Sequence, residues 1–136
     1  MKKILTCLLA VLGLTSACGQ KNYEDVDVKG FAELIADSSV VVLDVRTDDE
    51  FSEGHLAGAI NIDVKQNDFL QRAVSLLPKE SRMVSTNPSM CTIAVYCRSG
   101  RRSANACGQL SGEGYKTVNL KGGIMAWMDE KKPVVK

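Results

Sequence analysis

The chain lacks an excess of either charge, a second histidine, internal repeats, and any apolar run long enough to cross a membrane as an ordinary helix. Its 17 Lys and Arg against 16 Asp and Glu leave a formal charge of +1, which gives no case for nucleic acid as a partner. The single histidine, His55, lies beside a glycine turn nine residues past Arg46, and it reads as a hydrogen-bonded structural residue rather than a general base. No metal and no cofactor are expected. What remains is a chain of 136 residues, 45% hydrophobic and 24% charged, which suits one compact domain.

The first residues read as an export signal. Lys2 and Lys3 form a basic start, Ile4 to Leu14 is mostly apolar but too short for an ordinary spanning helix, and Thr15-Ser16-Ala17 is a run of small residues. Leu14-Thr15-Ser16-Ala17-Cys18 resembles a bacterial lipoprotein box, which implies a lipid on Cys18 and a mature chain starting there. Plain secretion with cleavage at a nearby small residue is the alternative. The expected division is residues 1–17 as signal peptide, 18–22 as a lipid-anchored linker and 23–136 as the domain, exported to the periplasmic or cell-surface side of a bacterial membrane. A multiply acylated cysteine holds a domain firmly, since each buried lipid CH₂ contributes about 0.8 kcal/mol.

Beyond the leader, strand and helix patterns alternate. Tyr23 to Val28 is a short strand candidate, and Lys29 to Ala36 has Phe31, Leu34 and Ile35 at helical spacing. Val40 to Val45 is a run rich in valine without polar alternation up to Leu43, as expected for a strand covered on both faces of a parallel sheet. Thr47 and Glu50 make a capping box for a short helix. Glu53 to Ile62 is a glycine-punctuated turn leading into a brief strand, and Asp68 to Leu77 is helical up to Pro78. Residues 79–90 are polar and aperiodic, a loop. Because it precedes a strand, it should lie at the sheet end opposite a site at the strands' carboxyl ends, away from substrate. Thr92 to Tyr96 is a strand, Ala104 to Leu110 is helix-compatible, Thr117 to Leu120 is a strand, and Gly122 to Glu130 is a helix with Ile124, Trp127 and Met128 inward. Such alternation indicates an α/β domain with a mainly parallel sheet.

The chemistry concentrates in Cys97-Arg98-Ser99-Gly100-Arg101-Arg102-Ser103, between a strand and a helix. There the thiol sits against a helix N-terminus, whose unpaired amides and dipole favour an anion. Three arginines within five residues of the sulfur add positive charge. Such surroundings lower a thiol's pKa and favour the reactive thiolate.

Leu43-Asp44-Val45-Arg46, Glu50-Phe51, the run from Gly54 to Ile62, the run from Tyr96 to Ser103, and Gly122-Gly123 with Trp127 resemble, in this order, the rhodanese-like sulfurtransferase domain. The resemblance spans about residues 23 to 130. It implies a small α/β fold with a central, mainly parallel sheet of about five strands flanked by helices. It also implies transfer of sulfane sulfur through a cysteine persulfide, with Cys97 the sulfur acceptor and Arg98, Ser99, Gly100, Arg101 and Arg102 completing a six-residue cradle. Arg101 and Arg102 would attract an anionic donor such as thiosulfate, and cyanide or a thiol would accept the sulfur. Asp44 and Arg46 match the family's Asp-x-Arg pair, either as an ion pair that positions the loop or as a direct substrate contact; Ser103 is a further supporting residue.

Two rivals stay open. A cysteine phosphatase also uses a thiolate in a basic loop at a helix N-terminus, but through Cys-x5-Arg, and Ser103 occupies the position of that arginine. The domain could instead be a carrier that takes sulfur from a protein partner and delivers it onward. Cys91 and Cys97, at opposite ends of one strand, should be about 20 Å apart, beyond the roughly 7 Å a disulfide allows. Cys107 lies well along the following helix, so Cys91, Cys97 and Cys107 are expected to be free thiols.

Overall fold

The computed structural model describes residues 22–78 and 91–136. The proposed leader with Cys18, and the 79–90 loop, lie outside the described residues. Five strands form one sheet: β1 (Glu24–Val26), β2 (Val41–Asp44), β3 (Ile60–Asn61), β4 (Thr92–Tyr96) and β5 (Lys116–Leu120). Their order is β1-β5-β4-β2-β3, and all four pairings are parallel. The helices are α1 (Val28–Ile35), α2 (Asp48–Glu53), α3 (Phe69–Leu76), α4 (Arg101–Gly112) and α5 (Gly123–Asp129).

The unalternating β2 run is explained by burial on both faces. Leu43 and Val45 join Ile93, Val95 and Cys97 in a core closed by Phe69 and Ala73 of α3 and by Ala106, Cys107 and Leu110 of α4. Val42, Ala94 and Tyr96 face the other way, onto Val28 and Phe31 of α1 and Ile124 and Trp127 of α5. The period of two thus directs Cys97 and Tyr96 to opposite faces. Phe31 meets both Tyr96 and Trp127 edge-on, with centroids 6.5 and 6.2 Å apart, the geometry that aromatic quadrupoles favour.

One expectation needs correction. Met128 does not face inward: it is 48% exposed, because Ile124 and Trp127 already fill the covered stripe of the short α5. The helix after Cys97 begins at Arg101 and takes in the helix-compatible run from Ala104 to Leu110. Gly100 adopts φ 103° and serves as its N-cap, so Arg101, Arg102 and Ser103 form a first helical turn rather than a loop.

Candidate active site

β4 delivers Cys97 to the carboxyl edge of the sheet, and residues 98–100 turn the chain into α4. The sulfur is enclosed, with Cys97 only 1% exposed. The Gly100 amide donates to Sγ at 3.0 Å and the Ser103 hydroxyl at 3.3 Å. Burial alone would push the thiol pKa up, but the Ser103 hydroxyl and the amides of Ser103, Gly100 and Ser99 outweigh it and hold the thiol below its ordinary value. By contrast, burial pushes the Cys107 thiol up to about 12. Cys91, Cys97 and Cys107 are all free, as expected.

The loop is gripped from behind by the start of α5. The amides of Ile124 and Met125 donate to the carbonyls of Cys97 at 2.8 Å and Arg98 at 3.1 Å. With those carbonyls turned toward α5, the amides of Ser99 and Gly100 face the sulfur. Gly123 makes this approach possible: its φ is +63°, and a Cβ there would overlap the Cys97 and Arg98 carbonyls. On the other flank Asn119 of β5 donates to the Gly100 carbonyl at 3.3 Å and to Asp25 of β1 at 2.9 Å.

Asp44 and Arg46 form an internal ion pair. Arg46 is 6% and Asp44 0% exposed, and the guanidinium contacts the carboxylate through Nε at 3.0 Å and Nη2 at 2.7 Å. Nη2 also donates to the Gly54 carbonyl at 2.7 Å. The Tyr96 hydroxyl donates to Asp44 Oδ2 at 2.7 Å and accepts from the Leu56 amide at 3.1 Å. Since Tyr96 immediately precedes Cys97, these contacts tie the pair to the strand end that carries Cys97. His55 is likewise structural: Nδ1 lies 2.9 Å from the Phe51 carbonyl, the ring stacks on Phe51 at 3.7 Å, and its backbone bridges to Val135.

Arg98, Ser99 and Arg101 are exposed around the cradle. Arg102 is engaged: its Nη1 and Nη2 donate to Glu50 Oε1 and Oε2 at 2.8 and 2.9 Å. Glu50 simultaneously completes the expected capping box, accepting from the Thr47 amide at 3.1 Å. The Arg102 contact, with Thr47, holds the Glu50 carboxyl down at about 2. Lys65, Arg101, Arg102 and Asn105 line a cavity of about 320 Å³ beside the cradle. A larger cavity of about 550 Å³ is lined by Asp48, Asp49, Asp63 and Asp68; its charge disfavours an anionic substrate.

The structure therefore gathers Cys97, Arg98, Ser99, Gly100, Arg101, Arg102 and Ser103 at one sheet edge, with Asp44 and Arg46 behind the adjacent strand. Sequence reasoning missed Lys65, Tyr96, Asn119 and the second role of Glu50. Glu50 carried a signal, its capping-box spacing, but nothing local marked its partner 52 residues away.

Comparison with known proteins agrees with this geometry. The rhodanese-like domain family matches residues 27–130. A sulfurtransferase of Allochromatium vinosum is 33% identical over 113 residues, covering 82% of this chain and 94% of that protein. Thiosulfate sulfurtransferase 18 of Arabidopsis thaliana is 36% identical over 133 residues, covering 89% and 90%. The crystal structure of a rhodanese-related protein from Thermoplasma volcanium superposes with a TM-score of 0.66 at 32% identity, covering 83% of this chain and 98% of that one. On its fold, its cysteine cradle and these relatives, the chain belongs to the rhodanese-like domain family of sulfurtransferases.

Proposed function

We propose that the protein moves sulfane sulfur from an anionic donor such as thiosulfate to cyanide or a thiol acceptor through a persulfide on Cys97. The observation that carries this reading is the Cys97 sulfur held by the Gly100 amide and Ser103 hydroxyl at a helix N-terminus. The thiolate attacks the outer sulfur of thiosulfate. A new S–S bond forms, the bond to the sulfite sulfur breaks, and sulfite leaves with the electron pair. The same donors then face the anionic terminal sulfur of the persulfide, as an oxyanion hole faces its oxygen. Cyanide attacks that terminal sulfur, thiocyanate departs, and the electron pair returns to Cys97. A preformed thiolate needs no separate base for either step.

Incubation with thiosulfate and cyanide is expected to give thiocyanate and sulfite in equal amounts, while an aryl phosphate ester yields no phosphate. Phosphate release without thiocyanate would reverse the assignment. A Cys97 persulfide that forms only when a protein donor is added would identify a delivery module instead.

The leader supports a membrane-surface location for this activity through a lipid on Cys18. In a bacterial host the full chain is expected to take up labelled fatty acid and sediment with membranes, and Cys18→Ala to lose both properties. A variant that still carries label would exclude Cys18 as the anchor.

A further inference from the structure

The Arg102 guanidinium is one of three arginine side chains that the loop offers to an anionic donor, yet among the described residues it is the one held by a carboxylate. Both its terminal nitrogens contact the two oxygens of Glu50, at 2.8 and 2.9 Å, in the fork-to-fork arrangement that fixes a guanidinium most firmly. The carboxylate is itself fixed, since Oε1 also accepts from the Thr47 amide and hydroxyl, each at 3.1 Å. Neither partner is deeply buried; the side chains are 23% and 28% exposed. Such a pair contributes little to stability. It does change the charge presented at the mouth of the cradle. The other charged groups facing Arg102 are Arg101 on the same helix, Asp63 and Lys65 in the segment after β3, and the Cys97 sulfur; Asp25 is linked to the cradle through Asn119.

We propose that Glu50 is a positioning and specificity residue for sulfur transfer: it pins Arg102 beside Cys97 and offsets its charge, restraining both the ionisation of the thiol and the pull on anionic donors. This rests on the sulfurtransferase reading for its donor arm but not for its thiol arm. The side of the cradle left with uncompensated positive charge is the cavity of Lys65 and Arg101, and a donor is drawn there.

Glu50→Gln provides the test, because glutamine at this position still completes a capping box and leaves one oxygen to accept from Arg102, while the charge and the second acceptor are removed. The measurement is the rate of iodoacetamide modification of Cys97 against pH, read on the Cys97 peptide by mass spectrometry, alongside KM for thiosulfate. The midpoint of the modification curve is expected to move to lower pH. KM at low salt should fall about two- to fivefold, with the difference fading as salt is raised toward 0.5 M because screening removes exposed charge effects. Both changes should disappear when the substitution is made in an Arg102→Gln background. A purely structural role predicts the opposite sign, since a loosened cradle donates less well to the sulfur. A midpoint that stays or moves to higher pH overturns the proposal. Alkylation needs no turnover, so a protein inactive toward thiosulfate would refute the sulfur donor while still reporting on Glu50.

Discussion

Cys97→Ser is expected to lower kcat/KM for thiosulfate at least about a thousandfold, because it removes the nucleophile rather than a contact. The substituted oxygen would still meet the Gly100 amide and Ser103 hydroxyl, which reach the native sulfur at 3.0 and 3.3 Å, so the cradle should survive. Those donors can favour an anion, but a serine hydroxyl ionises far too weakly for them to make it one near neutral pH. An oxygen also has no persulfide to form. Unchanged urea unfolding together with absent thiocyanate formation is the expected pair of results; retained transfer would remove Cys97 from the mechanism. The wild-type pH profile carries the same logic. The thiolate is the reactive form and its pKa is lowered, so the acid limb of kcat/KM should fall at a lower pH than that of an ordinary thiol.

Asp44→Ala should produce the largest loss of stability. Its carboxylate holds the Arg46 side chain, the Arg46 amide and the Tyr96 hydroxyl, all within 3.1 Å, at a position that solvent does not reach. Removing it strands a guanidinium that is only 6% exposed. Deleting one partner of a buried pair costs about 3–5 kcal/mol, a large share of the roughly 5–15 kcal/mol that holds a domain folded. Asp44→Asn, which keeps the shape and some hydrogen bonds, should fall between the two. Denaturant unfolding measures both, and a loss below about 1 kcal/mol in the alanine variant would show that the pair does not anchor the strand. Since Tyr96 adjoins Cys97, sulfur transfer should fall with stability.

Much of this architecture was readable from local pattern. The unalternating Val40 to Val45 run announced a strand covered on both sides, and Thr47 with Glu50 announced a helix start that the structure contains. The Cys97 loop, with a cysteine, a glycine and basic residues in seven positions, pointed to a thiolate held among positive charges, and the rest of the chain was needed to say more. What stayed hidden were partners brought together from distant parts of the chain. Tyr96 looked like one more apolar strand residue, and its bond to Asp44 spans 52 positions. Asn119 looked like a polar interruption in β5, yet it links Asp25 to the cradle across 94 positions on one side and 19 on the other. Met128 failed differently. Helical periodicity marks a stripe but not its width, and a seven-residue helix whose covered face already holds Ile124 and Trp127 leaves no room for a third large side chain.

The order β1-β5-β4-β2-β3 also governs when the protein can fold. β5 lies between β1 and β4, so the first strand made waits for the last one, with Val26 pairing Leu120 and its carbonyl receiving the Lys121 amide at 2.8 Å. Until Lys116 to Leu120 has been synthesised, β1 has no neighbour, Asn119 is missing from the cradle, and the α5 amides that turn the Cys97 carbonyls do not exist. Non-local pairings of this kind form slowly. Cys97 is therefore made before the strand and the helix that complete its surroundings, and the cradle closes only once β5 and α5 have followed.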